Sequence, residues 1–196
     1  MHLKENDLVF AKVKEGAIIP SKEDENAGYD IYSCFDEDYR IVLPHDTELI
    51  PTGIASALSP KYYIQIEERG STGSKGIKKS AGVIDSGYRG EWFVAITNSS
   101  NKDLIISKIG KDDLISKYGK TDDEGDVYIP YKNQRVYLNF SDGCPTDDLI
   151  IYPYNKAIAQ AVVQEVPIMQ VHEASYEELL TIKSDRGIGM LGSSKK

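Results

Sequence analysis

The sequence has few of the residues that cross-link a chain or bind a structural metal. There are 2 cysteines, 1 tryptophan and 3 histidines in 196 residues. Cys34 and Cys144 form no metal-like cluster, so reduced thiols in a cytoplasmic setting are the expectation. Long apolar runs are also missing. The longest stop at five residues, far below the length of a membrane span. Residues 1–15 lack the apolar stretch of a secretion signal. Positive charge is scarce, with 23 basic against 31 acidic residues and a net charge of −8. That balance argues against a binder of long nucleic acid, which would normally carry a broad basic face. It leaves room for a small anion held by a few clustered cations.

The chain does contain 13 tyrosines and 4 phenylalanines, together with Val, Ile and Thr in short runs. This composition favours strands. Candidate strands at 8–13, 39–43, 62–67, 91–97 and 157–166 are separated by Gly, Pro, Asn and Asp, which predicts an all-β sandwich, jelly roll or barrel. No amphipathic helix of three or more turns stands out. Ser175-Tyr176-Glu177-Glu178 has the capping-box pattern and predicts a short helix. The length fits one domain over 1–196 with an insertion at about 101–150. Within it, Asp103-Leu-Ile-Ile-Ser-Lys-Ile-Gly and Asp113-Leu-Ile-Ser-Lys-Tyr-Gly form an imperfect duplication. Residues 127–131 and 135–140 then flank a Lys132-Asn133-Gln134 turn, reading as a hairpin behind a solvated, charged lead-in. From about 184 a Gly- and Ser-rich arm reads as mobile until a ligand orders it.

Three segments exceed what a plain fold needs. Glu68-Arg69-Gly70-Ser71-Thr72-Gly73-Ser74-Lys75-Gly76 combines glycines, hydroxyls and two cations after a strand, a plausible phosphate cradle but not a Walker A loop. Taken alone, such a stretch is more often an ordinary solvated turn. Gly82-Val83-Ile84-Asp85-Ser86-Gly87-Tyr88-Arg89-Gly90 delivers a carboxylate into a tight turn, where it can act as a general base or simply bond its own backbone. Arg186-Gly187-Ile188-Gly189-Met190-Leu191-Gly192-Ser193-Ser194 can fold over a polyanion or fray.

Taken in order with Ala27-Gly28-Tyr29-Asp30-Ile31-Tyr32-Ser33 and Ile158-Ala159-Gln160, these segments resemble the five motifs of the trimeric, all-β dUTPase family. The resemblance spans about 8–100 and 152–196. It implies a distorted jelly roll with a mobile C-terminal arm, enlarged here by the inserted hairpin-like segment. It also implies a dUTP diphosphatase that makes dUMP and pyrophosphate. In that reading Asp85 is the general base that orients a water toward the α-phosphorus. Tyr88 packs on the deoxyribose, and Gly82 and Val83 lie by the uracil edge. Arg69, Gly70, Ser71 and Gln160 belong to the phosphate side. Arg186, Leu191 and Ser193 belong to an arm that closes over the triphosphate. Asp30 stands near Mg²⁺ through water. A homotrimer with shared sites, acting in the cytoplasm (a host's, for a phage-encoded chain), completes the expectation.

The sequence departs from the family pattern in the shorter segment from Arg69 to Asp85, where no uracil-reading Asn is placed, in the longer stretch from Asn98 to Gln160, and at four residues. Gly70 replaces a Ser, Ala157 an Arg, Met190 a Gly and Leu191 the aromatic that stacks on the base. Two alternatives follow from the same resemblance. A dCTP deaminase, or a bifunctional deaminase and diphosphatase, shares the fold, but it needs a Glu ten residues beyond Asp85, where this chain has Ala95. A dUTPase-like regulatory protein could instead bind a partner through 101–150.

Overall fold

A computed structural model describes residues 2–140, 147–185, 187 and 188. Among them fifteen strands and three short helices follow one another. The first run is β1 (Leu8–Lys12), β2 (Gly28–Ile31), β3 (Tyr39–Val42), β4 (Thr47–Pro51), β5 (Ile54–Leu58) and β6 (Tyr62–Glu67). After it come α1 (Gly70–Gly73), β7 (Ile77–Lys79), β8 (Val83–Ile84), β9 (Phe93–Asn98) and β10 (Asp103–Ser107). The third run is α2 (Lys111–Tyr118), β11 (Lys120–Thr121), β12 (Val127–Tyr131), β13 (Gln134–Asn139), β14 (Leu149–Pro153), β15 (Ala159–Glu165) and α3 (Tyr176–Thr181).

Small sheets with the orders β1-β5, β2-β15-β6-β8, β4-β9-β7 and β14-β10-β3 enclose the main core. All pairings are antiparallel except β10 with β14. Alternation along the strands decides what is buried. Ile64 and Ile66 of β6 face inward beside Ile31, Val94, Ile96 and Trp92, while Gln65 and Glu67 face out. The all-β expectation holds, and the five strands read from the sequence appear with ends shifted by up to two residues. β9 begins at Phe93 because Trp92 donates its N–H to Ile54 (2.8 Å) and the Glu91 carboxylate accepts from the Gly53 N–H (2.9 Å). β15 begins at Ala159, after the Ala157 carbonyl has been taken by the Tyr152 hydroxyl at 2.7 Å.

The region expected to be an insertion is redrawn. Residues 103–107 belong to the main body: β10 is the central strand of its sheet, paired to β3 and β14. Leu104 and Ile106 enter the main core, and Ile105 points the other way into a second core. That second core joins Ile41 and Leu43 to Leu114 of α2 and to Ile129, Val136 and Leu138 of the hairpin. The added segment is therefore packed on the back of a core sheet, and its charged lead-in, rather than being wholly solvated, forms a helix that buries Leu114. It also supplies the crossover that parallel β10 and β14 require. The hairpin turn has two residues instead of three, since Gln134 already pairs with Tyr131. Lys132 sits there at φ 52°, its ammonium 2.9 Å from both Asp46 and Glu48.

The described residues up to Val166 form one compact unit and those from Pro167 a second, while most of the arm expected from 184 lies outside the described residues. In that second unit α3 has the predicted capping box: Ser175 Oγ accepts from the Glu178 N–H (3.1 Å) and the Glu178 carboxylate accepts from the Ser175 N–H (2.8 Å).

Candidate functional site

The sheet order β2-β15-β6 lines up three polar side chains. Gln160 of β15 lies opposite Asp30 on one side and Glu67 on the other, so all three share the outward face. Gln160 donates from Nε2 to the Glu68 carbonyl at 2.8 Å. A Cβ on Gly28 would lie 2.5 Å from Gln160 Oε1, so glycine is what lets the amide lie flat across β2.

Beyond β6 the Gly- and Ser-rich stretch folds into the single helical turn α1. The Arg69 N–H donates to Thr72 Oγ1 (3.1 Å) and the Thr72 hydroxyl donates to the Arg69 carbonyl (2.9 Å), with Thr72 buried. This holds the base of Arg69, whose guanidinium meets Asp30 as a fork. Nε lies 2.9 Å from Oδ1 and Nη2 lies 3.1 Å from Oδ2. Nη1 makes a long contact of 3.5 Å to the Ala157 carbonyl.

Two hollows meet at this ion pair and share Asp30, Tyr32, Arg69 and Ser71. The larger, about 580 Å³, also takes in Gly28, Gly70, Gln160 and the loop residues Ser21, Lys22, Glu23 and Asn26. The smaller, about 320 Å³, is closed by Lys75, Tyr152, Asn155, Lys156 and Ala157. Burial pushes the Tyr152 hydroxyl above its ordinary range, with the charge of Arg69 opposing the shift.

Asp30, Arg69, Gly70, Ser71 and Gln160 thus come together as expected. Gly82, Val83, Asp85 and Tyr88 line neither hollow, although Gly82 lies beside Ile66 on β6. β8 and β2 are the two edges of the four-stranded sheet, three strand spacings or about 14 Å apart. Gly82 accepts from the Ile66 N–H (2.6 Å) and has no room for a Cβ, which would lie 2.7 Å from Gln65 Nε2. From this tight base the hairpin turns at Asp85, whose carbonyl accepts from the Tyr88 N–H at 3.0 Å. The Asp85 side chain is exposed, and Val83 and Tyr88 are 60% and 45% exposed, a high figure for such apolar surface. Arg186, Leu191 and Ser193 lie outside the described residues. Ala95, where a deaminase would need a Glu, is buried on β9 opposite Leu49. Sequence reasoning missed Tyr32, Tyr152, Lys156 and the 21–26 loop. Tyr32 stood inside a quoted motif, whereas nothing local marked the others.

The dUTPase family profile matches residues 14–111. The chain is 34% identical over 104 residues to the deoxyuridine 5'-triphosphate nucleotidohydrolase of Leptospira interrogans, covering 50% of this chain and 70% of that protein. Among solved structures it is similar to the dUTPase of Staphylococcus bacteriophage 80alpha with dUPNHPP, at TM-score 0.64 and 21% identity over 97% of this chain and 99% of that one. It is also similar to a mutant dUTPase from S. aureus phage phi11, whose structure reveals coordination of a structural Mg(II) ion. That match has TM-score 0.57 and 21% identity over 88% and 99% of the two chains.

Proposed function

The chain belongs to the dUTPase family, and from that premise we propose that it hydrolyses dUTP to dUMP and pyrophosphate. The observation that carries the proposal is the Asp30–Arg69 fork at the meeting point of two polar hollows, with Ser71 and Gln160 on the same face. A guanidinium, a hydroxyl and an amide converging on one hollow suit a phosphate chain.

Asp85 acts as the general base: it takes a proton from the water that attacks the α-phosphorus as the bond to the pyrophosphate leaving group breaks. Its exposed position at the tip of a turn suits a base that must reach a water. Tyr88 packs against the sugar, and the backbone at Gly82 and Val83 reads the base edge. The base of this hairpin bonds Ile66 of β6, but its antiparallel register carries Asp85 and Tyr88 past Ile64, away from the Arg69 end of the strand, and this supports a homotrimer whose sites combine residues of different subunits. In that assembly Val83 and Tyr88 lose their exposure against a neighbouring subunit and the substrate.

Both Asp30 carboxylate oxygens are already engaged by Arg69, so this residue fits a Mg²⁺ held through water rather than as a direct ligand. Mg²⁺ bound with the triphosphate would neutralise part of its charge and polarise the reacting phosphoryl group. Arg186 and Ser193 belong, on this reading, to an arm that closes over the phosphates, with Leu191 against the base.

The test is incubation with dUTP, dCTP, dTTP and UTP, with and without Mg²⁺, and identification of every product. dUMP and pyrophosphate from dUTP alone are expected. Ammonia from dCTP, or equal turnover of UTP, overturns the assignment. Light scattering of the purified protein should give three times the 21.8 kDa chain mass.

A further inference from the structure

The two hollows that meet at Arg69 differ in charge. In the larger, Lys22 and Arg69 are balanced by Glu23 and Asp30. In the smaller, Arg69, Lys75 and Lys156 stand against Asp30 alone, so three cations less one carboxylate leave +2 in a chain whose total is −8. Neither Lys75 nor Lys156 has a carboxylate within ion-pair distance among the described residues. Lys75 is nevertheless placed, with its ammonium 5.8 Å from the centre of the Tyr152 ring. Tyr152 is itself buried and fixed by the hydrogen bond from its hydroxyl to the Ala157 carbonyl at 2.7 Å. Lys156 immediately precedes Ala157 and lines the same hollow.

We propose that Lys75 and Lys156 are further substrate-binding residues, which draw the terminal phosphates of the nucleotide past Arg69 into the smaller hollow. The proposal rests on the nucleotide-hydrolase reading and gives the phosphate chain a direction. The charge-balanced larger hollow has no excess cation with which to attract it. Asp30 already neutralises much of Arg69, so the two lysines carry the remaining positive charge toward a polyphosphate. Both are exposed and contribute modestly as single charges, each about three- to fivefold in affinity and about tenfold together.

The experiment compares the full-length parent with Lys75→Ala, Lys156→Ala, the double variant and the double Lys→Arg variant. Calorimetry measures binding of inorganic triphosphate with Mg²⁺ and of dUMP, and steady-state assays measure dUTP hydrolysis. The double Ala variant should bind inorganic triphosphate about tenfold more weakly, with dUMP binding unchanged. Its KM for dUTP should rise by a similar factor while kcat stays within about twofold, and the Arg pair should restore most of the loss. The defect should also narrow as salt is raised. Parent-like triphosphate binding by the double variant overturns the proposal, as does an equal loss for dUMP. If the parent binds inorganic triphosphate through these lysines yet leaves dUTP intact, the hydrolase reading falls and the anion site stands.

Discussion

Arg69 and Asp30 face each other in two near-parallel contacts, Nε to Oδ1 at 2.9 Å and Nη2 to Oδ2 at 3.1 Å, with about a third of each side chain exposed. A carboxylate presents oxygens to a guanidinium in the same geometry as a phosphate. Asp30 therefore holds Arg69 in a fixed orientation at the floor of both hollows and leaves Nη1 as the edge turned away from the fork.

Asp30→Asn keeps the shape and removes the charge. Hydrolysis of dUTP should fall by roughly 10- to 100-fold, the usual cost of losing a residue that orients a metal-binding site. Thermal stability should change by less than about 1 kcal/mol, because the pair is partly open to solvent. Parallel kinetics and melting curves separate the two effects; a large loss of stability would make Asp30 a structural residue first.

Asp85→Asn should reduce turnover by about 10²–10⁴, the range for a lost general base. Binding of a non-hydrolysable dUTP analogue, followed by calorimetry, should remain near that of the parent. Full activity in this variant removes Asp85 from the reaction.

Leu114 is fully buried where α2 meets the second core. Leu114→Ala should cost about 2–5 kcal/mol in chemical denaturation. Hydrolysis by the molecules that stay folded should be little changed, since among the described residues lining the two hollows none comes from α2 or the 127–139 hairpin. A loss below about 1 kcal/mol would mean that the helix is not docked as described.

Acid should loosen the added segment. Hydrogen bonds from Lys117, and then from the Tyr118 hydroxyl, hold the Asp38 carboxyl below its ordinary value, and Lys132 does the same for Asp46. A carboxylate with a depressed folded value stabilises the native state above its unfolded pKa, near 4, and loses that contribution as pH falls through the folded value. Lys117 is shifted upward by Asp38, so the same pair persists at alkaline pH until the lysine titrates. Melting temperatures measured from pH 2 to 6 should therefore drop below about pH 4. Asp38→Asn should flatten part of that drop, and an identical profile in the variant would show that the pair contributes nothing.

Much of the candidate site was legible because each side's chemistry is local. The stretch from Arg69 to Gly76 held its own glycines, hydroxyls and cations, and Asp85 stood in a recognisable turn. Pairing across the sheet was not legible: nothing in the chain order places Gln160 opposite Asp30, or requires Gly28 to be bare so that the Gln160 amide can cross it. Tyr152 and Lys156 line the smaller hollow only because β14 and the turn after it return to the end of β6.

By itself the sequence determined the strand-rich class and the family motifs, since these follow from residue type and short-range spacing. Only the tertiary structure decided what the near-duplicate at 103 and 113 would become. Asp103-Leu-Ile-Ile-Ser is a strand because apolar surface waits on both sides of it, Leu104 and Ile106 entering one core and Ile105 the other. Its copy has apolar surface on one side only, so it winds into α2 and turns Leu114, Ile115 and Tyr118 toward the second core along a single stripe. Similar residues adopt different periods because burial depends on distant neighbours, and no local pattern records them.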